Sequence, residues 1–306
     1  MRGLLLVLTA AILLLPAPAA EARDDSQKLL DFAKFLYESG DYSKAALEAR
    51  RFLFLYPESP RRDEAGLLLG RSGLDGGKPA EAEQAFLSVL NSHDRPESAG
   101  EAALGLGLAL ERLDPARAEA LYRDLISGKA RPDADPAKTR NPARIRLGWL
   151  LLGQARWGEA ATVFRQVDDP KLQPVLTELA AKAPGGENLP SRSPHAAGFM
   201  SALLPGAGQL YVGRPVDAGL ALGFNALFVY GTVEAIQKEA WAAAAVLGLL
   251  EIAWYGGNIY NAVNGAHLYN RAARETFLKK LERDYGWTAG LAPVKGGALA
   301  SLTWSF

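Results

Sequence analysis

An internal period of 37 residues in the N-terminal half constrains this chain more than any other sequence feature. Residues 40–45 recur as residues 77–82, so that a glycine and an alanine both return after 37 positions. A third copy keeps Ala118 and a fourth keeps Ala160. A fixed period of this length is typical of architectures that stack one small structural unit several times.

The positions shared by the copies predict two antiparallel helices in each unit. A small residue in the first helix lets the second helix approach closely, and an alanine in the second helix packs against it. An aromatic residue four positions after that alanine fills the gap to the next unit. One such pair cannot bury its own apolar face, so the pairs must stack. The small residues are Ala33, Gly70, Gly107 and Gly148, the alanines are Ala45, Ala82, Ala118 and Ala160, and the aromatic residues are Phe86, Tyr122 and Phe164.

These positions resemble the tetratricopeptide repeat family over residues 25–167. The family repeat has 34 residues, whereas the spacing here is 37 and the third step is lengthened by an inserted loop at residues 128–142. The first copy also departs from the family, because it has Ala49 where an aromatic residue is favoured. The resemblance implies an all-α solenoid of about four repeats with a capping helix, over residues 23–183. A plain helical bundle is the alternative.

The resemblance also implies a partner-binding groove on the inner face of the first helices. Tyr37 and Trp149 are the strongest anchor candidates, since aromatic residues dominate interface energetics, although Trp149 could equally pack as core. The expected partner is another envelope protein or a peptide. The residues that match the groove positions are Lys34, Tyr37, Arg71, Leu74, Leu108, Glu111, Trp149 and Leu152.

Residues 1–22 have the three-part layout of a secretory signal peptide. A basic start precedes a hydrophobic run at residues 4–15, and Pro16 and small residues follow. The run is shorter than the ~20 residues of a spanning helix, which favours cleavage over an uncleaved anchor. We therefore expect export to the bacterial cell envelope, with the repeats in the periplasm.

The second half of the chain reads as a hydrophobic helical module at residues 198–272, after a Pro- and Gly-rich linker at residues 184–197. Two of its apolar stretches, residues 216–233 and 240–257, have 18 residues each. Such a helix is about 27 Å long, close to the ~30 Å hydrocarbon core of a bilayer. With many Gly and Ala residues and few charges, these stretches favour a membrane hairpin that contacts lipid over a buried soluble core.

The first apolar stretch contains the pattern Pro-Gly-x-Gly-x-x-Tyr-x-Gly. It resembles a motif of small bacterial membrane domains built on a helical hairpin, which implies a membrane location and no chemistry. A dinucleotide-binding loop is excluded, because no predicted strand precedes it and no acidic residue follows at the required distance. We expect a tight turn at the membrane interface. The motif residues are Pro205, Gly206, Gly208, Gln209, Tyr211 and Gly213.

Polar residues interrupt the later part of the module. Hydrogen bonds between helices are the favoured interpretation, and a polar path or ion site is the alternative, since intramembrane ionisable groups are costly. These residues are Glu251, Asn258, Asn261, Asn264 and His267.

Residues 273–306 predict a basic amphipathic helix followed by a short β-hairpin of residues 287–293 and 297–306. The alternating end of the chain, which closes with Phe306, resembles the last strand of outer-membrane barrels. A barrel needs at least eight strands, however, so the inner membrane is favoured over the outer membrane.

The composition argues against enzymatic chemistry and nucleic-acid binding. Lys plus Arg equals Asp plus Glu at 34 each, so no global field steers the protein to nucleic acid. There is no cysteine, and the three histidines are far apart in sequence. We expect a non-enzymatic scaffold without metal or cofactor, anchored in lipid by its C-terminal module. The alternative is an accessory subunit of an envelope transport, secretion or outer-membrane assembly system, in which the module is the active part.

Overall fold

The computed structural model describes residues 19–92, 96–130 and 136–290, and every regular element in those ranges is helical. The chain forms two compact units, Met1–Arg144 and Ile145–Phe306. The N-terminal unit has its helices arranged in consecutive pairs. They are α1 (Ala19–Glu38), α2 (Tyr42–Leu55), α3 (Arg62–Asp75), α4 (Pro79–Asn91), α5 (Pro96–Leu113), α6 (Pro115–Ser127) and the first part of α7 (Pro136–Gly153).

Each helix from α1 to α6 packs against the next along the chain, and the first helices of successive pairs also touch, α1 with α3 and α3 with α5. Short connections between packed neighbours make each pair an antiparallel hairpin. The inserted loop is shorter than predicted, because α7 already begins at Pro136. The described part of the N-terminal unit is therefore all-α, and its consecutive helices pack against one another.

The repeated small and aromatic positions are the closest contacts between these helices. A Cβ on Gly70 would lie 2.5 Å from the ring of Phe86, and a Cβ on Gly105 in the next pair would lie 2.4 Å from the same ring. Gly107 is covered in the same way by Tyr122. Both aromatic side chains are fully enclosed. Because glycine has no side chain, it leaves a space on one helix, and the aromatic ring of the following helix fills that space.

One backbone geometry recurs in three of the turns between paired helices. Gly77 has φ +72°, its N–H donates to the carbonyl of Leu74 at 3.2 Å, and the next N–H donates back to Gly73 at 2.7 Å. Gly40 adopts the same left-handed conformation, as does Ala155 between α7 and α8, with φ +60°. This is the Schellman ending, for which glycine is preferred because a Cβ is strained at positive φ.

Ala155 and Gly77 form a matched pair for testing that strain. No atom lies within 4 Å of a Cβ built on Gly77, so Gly77→Ala adds only backbone strain. We expect it to lower the free energy of unfolding by about 1 kcal/mol, and Ala155→Gly to raise it by a similar amount. Thermal unfolding followed by circular dichroism measures both changes. Equal effects of the same sign would contradict this explanation.

The C-terminal unit begins with the rest of α7, α8 (Trp157–Arg165) and α9 (Gln173–Lys182), followed by a 3-10 helix at Ala183–Asn188. The predicted capping helix corresponds to α9. Within the predicted linker, residues 184–197, only residues 189–193 lie outside helices. In this unit Gly148 is covered by the ring of Phe164, as in the earlier pairs.

The apolar module consists of α10 (Pro194–Leu203), α11 (Ala207–Tyr211), α12 (Pro215–Gln237) and α13 (Trp241–Tyr285). Helices α12 and α13 form an antiparallel hairpin, α10 packs along α13, and α11 touches the other three. By length and composition α12 and α13 could each cross a membrane, and only 11% of each apolar window is buried.

Helix α13 differs from the sequence-based prediction, because it runs without a break through 45 residues. It joins the third apolar stretch, the polar stretch and the basic segment, which contain no proline to interrupt the helix. The apolar side of the basic segment packs on protein: the ring of Phe277 lies 5.4 Å from that of Trp157, and Leu281 and Tyr285 are buried.

The predicted β-hairpin differs from the structure in the part of its range that the structure describes. Residues 287–290, at the start of the first predicted strand, belong to a 3-10 helix at Gly286–Gly290. The Thr288 hydroxyl donates to the carbonyl of Tyr285 at 2.7 Å, which ties this turn to the end of α13. Residues 291–306 lie outside the described residues, as do residues 1–18 of the predicted signal peptide. Its last residues, 19–22, are the start of α1.

Candidate functional site

The predicted groove positions on α1, α3 and α5 are engaged in contacts between these helices. Lys34 pairs with Glu64 of α3, and Arg71 pairs with Glu101 of α5. The Tyr37 hydroxyl donates to the Asp75 carboxylate. Burial and this hydrogen bond raise the pKa of Tyr37 above its usual range. These polar pairs connect successive first helices, so a ligand here must compete with them.

The remaining groove positions differ in accessibility. Leu74 and Leu152 are buried and serve as core, whereas Leu108 is half-exposed. Glu111 accepts a 2.7 Å hydrogen bond from the Tyr122 hydroxyl. Of the predicted groove positions on α5, Leu108 is therefore the one best placed to contact a partner.

Trp149 of α7 is half-buried and held on two sides within the C-terminal unit. Its ring meets Phe164 edge-on at 6.1 Å, and its indole N–H donates to the Thr288 hydroxyl at 3.2 Å. These contacts give Trp149 a packing role and leave part of its ring accessible.

A cavity of about 500 Å³ lies between α2, α3 and α4. Its size falls in the range of small-ligand pockets. None of the eight predicted groove residues lines it. Among the residues that line it, Asp63 is 7% exposed and one carboxylate oxygen, Oδ2, has no hydrogen-bond partner in the described part of the chain. The sequence gives no signal for this cavity, because it depends on how three helices meet.

The motif of the apolar module forms a tightly packed turn. Gly206 has φ +92°, and a Cβ there would collide with the backbone of Ala218 in α12. A Cβ on Gly208 would collide with the carbonyl of Ala197 and lie 2.5 Å from the Ser201 hydroxyl. Both glycines are therefore required by close backbone approach.

Gln209 lies at the centre of a buried hydrogen-bond network. Its side chain is 1% exposed, accepts from the Ser201 hydroxyl at 2.8 Å and donates to the carbonyl of Asn258 at 2.9 Å. Ser201 also accepts from the N–H of Gly208 at 3.1 Å. The network links α10, α11 and α13, so the polar member of the motif holds the module together.

Tyr211 and Gly213 complete the motif at its outer edge. The Tyr211 hydroxyl accepts from the N–H of Ser193 at 3.1 Å, and the Arg192 guanidinium lies 5.1 Å from its ring. Asn270 binds both backbone groups of Arg192, at 2.7 and 2.9 Å. Gly213 has φ +80° in a turn like that of Gly77. The sequence pattern missed Arg192 and Asn270, because they lie far from the motif along the chain.

The predicted polar stripe separates into two groups. Asn261 accepts from the Arg214 guanidinium at 3.1 Å, and Asn264 and His267 are exposed. By contrast Glu251 Oε2 and Asn258 Nδ2 are buried atoms without a hydrogen-bond partner among the described residues, as is Asn225 Oδ1 of α12.

These unpaired atoms belong to one stretch of the α12–α13 hairpin. The ring of Phe224 lies 5.0 Å from that of Trp254, which sets Asn225 level with the middle of the segment between Glu251 and Asn258. Since the two helices run antiparallel, the three polar side chains fall within about two helical turns of one another.

Comparison with known proteins gives no relative for this chain: no family model matches it, and no curated protein or solved structure matches it either. Among the described residues no cluster of three or more His, Asp or Glu side chains could hold a metal ion. The arrangement of the site can therefore be interpreted only from its own geometry.

The motif turn can be tested with two glycine variants. Gly208→Ala should destabilise the module by about 2–3 kcal/mol, because the added Cβ meets a backbone carbonyl that cannot move aside. Gly219→Ala on α12 is the control, since no atom lies within 4 Å of the added Cβ. Thermal unfolding in detergent, followed by tryptophan fluorescence, compares them. A Gly208 variant as stable as the Gly219 variant would refute the packing argument.

Proposed function

We propose that this protein is a non-enzymatic scaffold of the bacterial cell envelope, whose stacked helix pairs bind another protein and whose apolar module anchors it in a membrane. The observation that carries the proposal is the combination, in one chain, of repeated helix pairs and two long helices with exposed apolar side chains. Repeats supply an extended binding surface, and the hairpin supplies a fixed position.

The proposed membrane role rests on the apolar side chains that α12 and α13 expose. Helix α12 buries only Ala218, Ala221 and Asn225. Apolar surface of this extent would drive aggregation in water, whereas hydrocarbon solvates it. The exposed large apolar side chains on the two helices are Val216, Leu220, Leu222, Phe224, Leu227, Val229, Tyr230, Val233, Ile236, Trp241, Val246, Leu249, Leu250, Ile252, Trp254, Tyr260 and Leu268.

The partner-binding role rests on the repeats as a tetratricopeptide-like solenoid. The glycine and aromatic contacts of α3, α4 and α5 give the repeated positions a common physical purpose, as in a stacked array. An array of this kind presents the surface of its first helices to a partner. Leu108, half-exposed on α5, is the proposed contact of that surface.

The compartment follows from the predicted signal peptide and from the helical character of the anchor. An exported N-terminus directs the repeats to the periplasm. Outer-membrane proteins span as closed β-barrels, whereas α12 and α13 are helices, which favours the inner membrane. The partners are thus an envelope protein or peptide and membrane lipid.

Charged substitutions test the anchor. Replacing both Leu227 and Leu249 by Lys should release the protein from the membrane fraction, because each charge near the middle of a spanning helix costs about 3 kcal/mol. Leu113→Lys, at an exposed leucine of α5, is the control and should stay in that fraction. Alkaline carbonate extraction followed by immunoblotting measures retention. Equal retention of all variants, or a soluble wild-type protein, would defeat the anchoring proposal.

Site-specific photocrosslinking tests the partner surface. A photoreactive amino acid at Leu108 should give a discrete crosslinked species in cells, and the same residue at Leu113 should not, since only Leu108 lies at a groove position. Mass spectrometry of the crosslinked band identifies the protein. No crosslink at Leu108, or equal crosslinks at both positions, would oppose a partner groove.

A second candidate function, an accessory subunit in which the module itself acts, is favoured by the unpaired polar atoms of Asn225, Glu251 and Asn258. Buried ionisable groups in membrane helices often mark ion or substrate paths. Under this function Glu251→Gln should reproduce the phenotype of a gene deletion at normal protein level, whereas Glu234→Gln should not. A scaffold predicts that both variants resemble the wild type.

A further inference from the structure

The segment from α10 to α11 exposes apolar side chains, although it lies outside the two long helices. Residues 194–213 contain no Asp, Glu, Lys or Arg, whereas Arg192 and Arg214 lie close to the two ends of the segment. An apolar surface of this kind is poorly solvated by water. The exposed large apolar side chains of the segment are Phe199, Met200, Leu203, Leu204 and Leu210, with Phe199 66% and Leu203 69% exposed.

Helix α10 runs antiparallel to α13 and packs along it. Asn270 binds both backbone groups of Arg192, just before α10 begins. A Cβ built on Gly198, in the middle of α10, would lie 2.8 Å from Val263 Cγ2. The contacts of α10 therefore move along α13 towards its apolar N-terminal part, so α10 points into the module.

The end of α10 lies level with the apolar part of the α12–α13 hairpin. The Tyr255 hydroxyl donates to the carbonyl of Ala202 at 2.8 Å. The neighbouring Trp254 contacts Phe224 of α12, with ring centroids 5.0 Å apart. Since α12 begins at Pro215, the end of α10 lies about 12 Å along the hairpin from that start. This distance is shorter than the ~15 Å of one half of the hydrocarbon core.

The turn between α10 and α11 satisfies its polar groups within the protein. Pro205 has no N–H that needs an acceptor. The N–H of Gly208 donates to the Ser201 hydroxyl at 3.1 Å. The hydroxyl of Tyr255 supplies a donor to one of the last carbonyls of α10, which lack a donor within the helix. A turn surrounded by hydrocarbon requires such internal partners, whereas a turn in water does not.

Arginine and tyrosine side chains lie at the opposite end of α10 and α11. The Arg192 guanidinium lies 5.1 Å from the ring centroid of Tyr211 and 5.3 Å from that of Tyr269. Arg214 donates to Asn261 at 3.1 Å. Tyrosine and basic side chains are typical of the headgroup level of a bilayer. The segment thus has a polar end and an apolar end, about the thickness of one leaflet apart.

We propose that α10, the turn at Pro205 and α11 form a re-entrant hairpin, which enters one leaflet of the bilayer and returns to the same surface. Its partner is the acyl chains of that leaflet, which contact Phe199, Leu203 and Leu204. These side chains continue the exposed apolar surface of α12 and α13. The module therefore displaces more lipid in this leaflet than in the opposite one. The inference rests on the proposed anchoring function, and it sets the turn deeper than the membrane interface predicted from the sequence.

Site-directed spin labelling of the full-length protein in phospholipid vesicles tests the proposal. The chain has no cysteine, so each single-cysteine variant carries one label. Collisions with oxygen report contact with lipid, collisions with a nickel chelate report contact with water, and a label covered by protein shows few of either. Leu203→Cys is the test position. His195→Cys, at the exposed start of the same helix, is the water control, and Leu227→Cys, near the middle of α12, is the lipid control.

The label at position 203 should show a ratio of oxygen to nickel collisions at least threefold higher than the label at position 195. Equal ratios at these two positions, with position 227 in lipid, would overturn the re-entrant hairpin and leave the anchor intact. Few collisions with either reagent at position 203 would mean that a second copy or another protein covers α10, which also overturns the proposal. A label in water at position 227 would refute the anchoring function itself, and the inference with it.

A measurement on the wild-type protein avoids any effect of the labels on folding. A phospholipid with a diazirine on its acyl chain loses dinitrogen on irradiation, and the resulting carbene inserts into a C–H bond of a side chain that it touches. Mass spectrometry should find lipid adducts within residues 199–204 as well as in α12 and α13. Adducts confined to α12 and α13 would contradict the proposed contact.

Discussion

The helix pairs depend on one packing arrangement, in which an aromatic ring on one helix occupies the space left by glycine on its neighbours. Phe86 is enclosed between Gly70 and Gly105, and the same relation joins Gly107 to Tyr122. Protein interiors are packed as densely as organic crystals, so neither partner can change size alone. The period of 37 residues reflects this constraint, because the second, third and fourth units each offer both the glycine and the ring, whereas the first unit has alanine at both positions.

The apolar module depends on a different set of packing interactions. Its outer surface is apolar, so specific packing comes from backbone approach and from buried hydrogen bonds. Gly206 and Gly208 permit the approach, and Gln209 connects three helices through Ser201 and Asn258. Small residues and polar side chains are the means by which helices associate in lipid, where apolar contact with a neighbour gives no advantage over contact with the solvent.

The sequence allowed the paired helices, the helix at Gln173–Lys182, the helical hairpin and the turn at Pro205 to be predicted, because each depends on local spacing. The continuity of α13 was not predicted. The composition changes along this helix from apolar to basic, and in the sequence such a change looks the same as a boundary between two elements. Asp63 was missed for another reason. Its isolation is a property of three helices together, and a single acidic residue at the start of α3 looks like an ordinary helix-terminal charge. The predicted groove residues lie on α1, α3, α5 and α7, and their ion pairs, such as Lys34 with Glu64, could not be predicted because they depend on the approach of neighbouring helix pairs.

That difference between paired and unpaired charges bears on how such a surface selects a partner. Groups that already satisfy one another, like Lys34 and Glu64, leave a ligand little to gain by replacing one partner. The polar pairs along the first helices therefore fix the spacing of neighbouring helices, and a ligand gains little by displacing them.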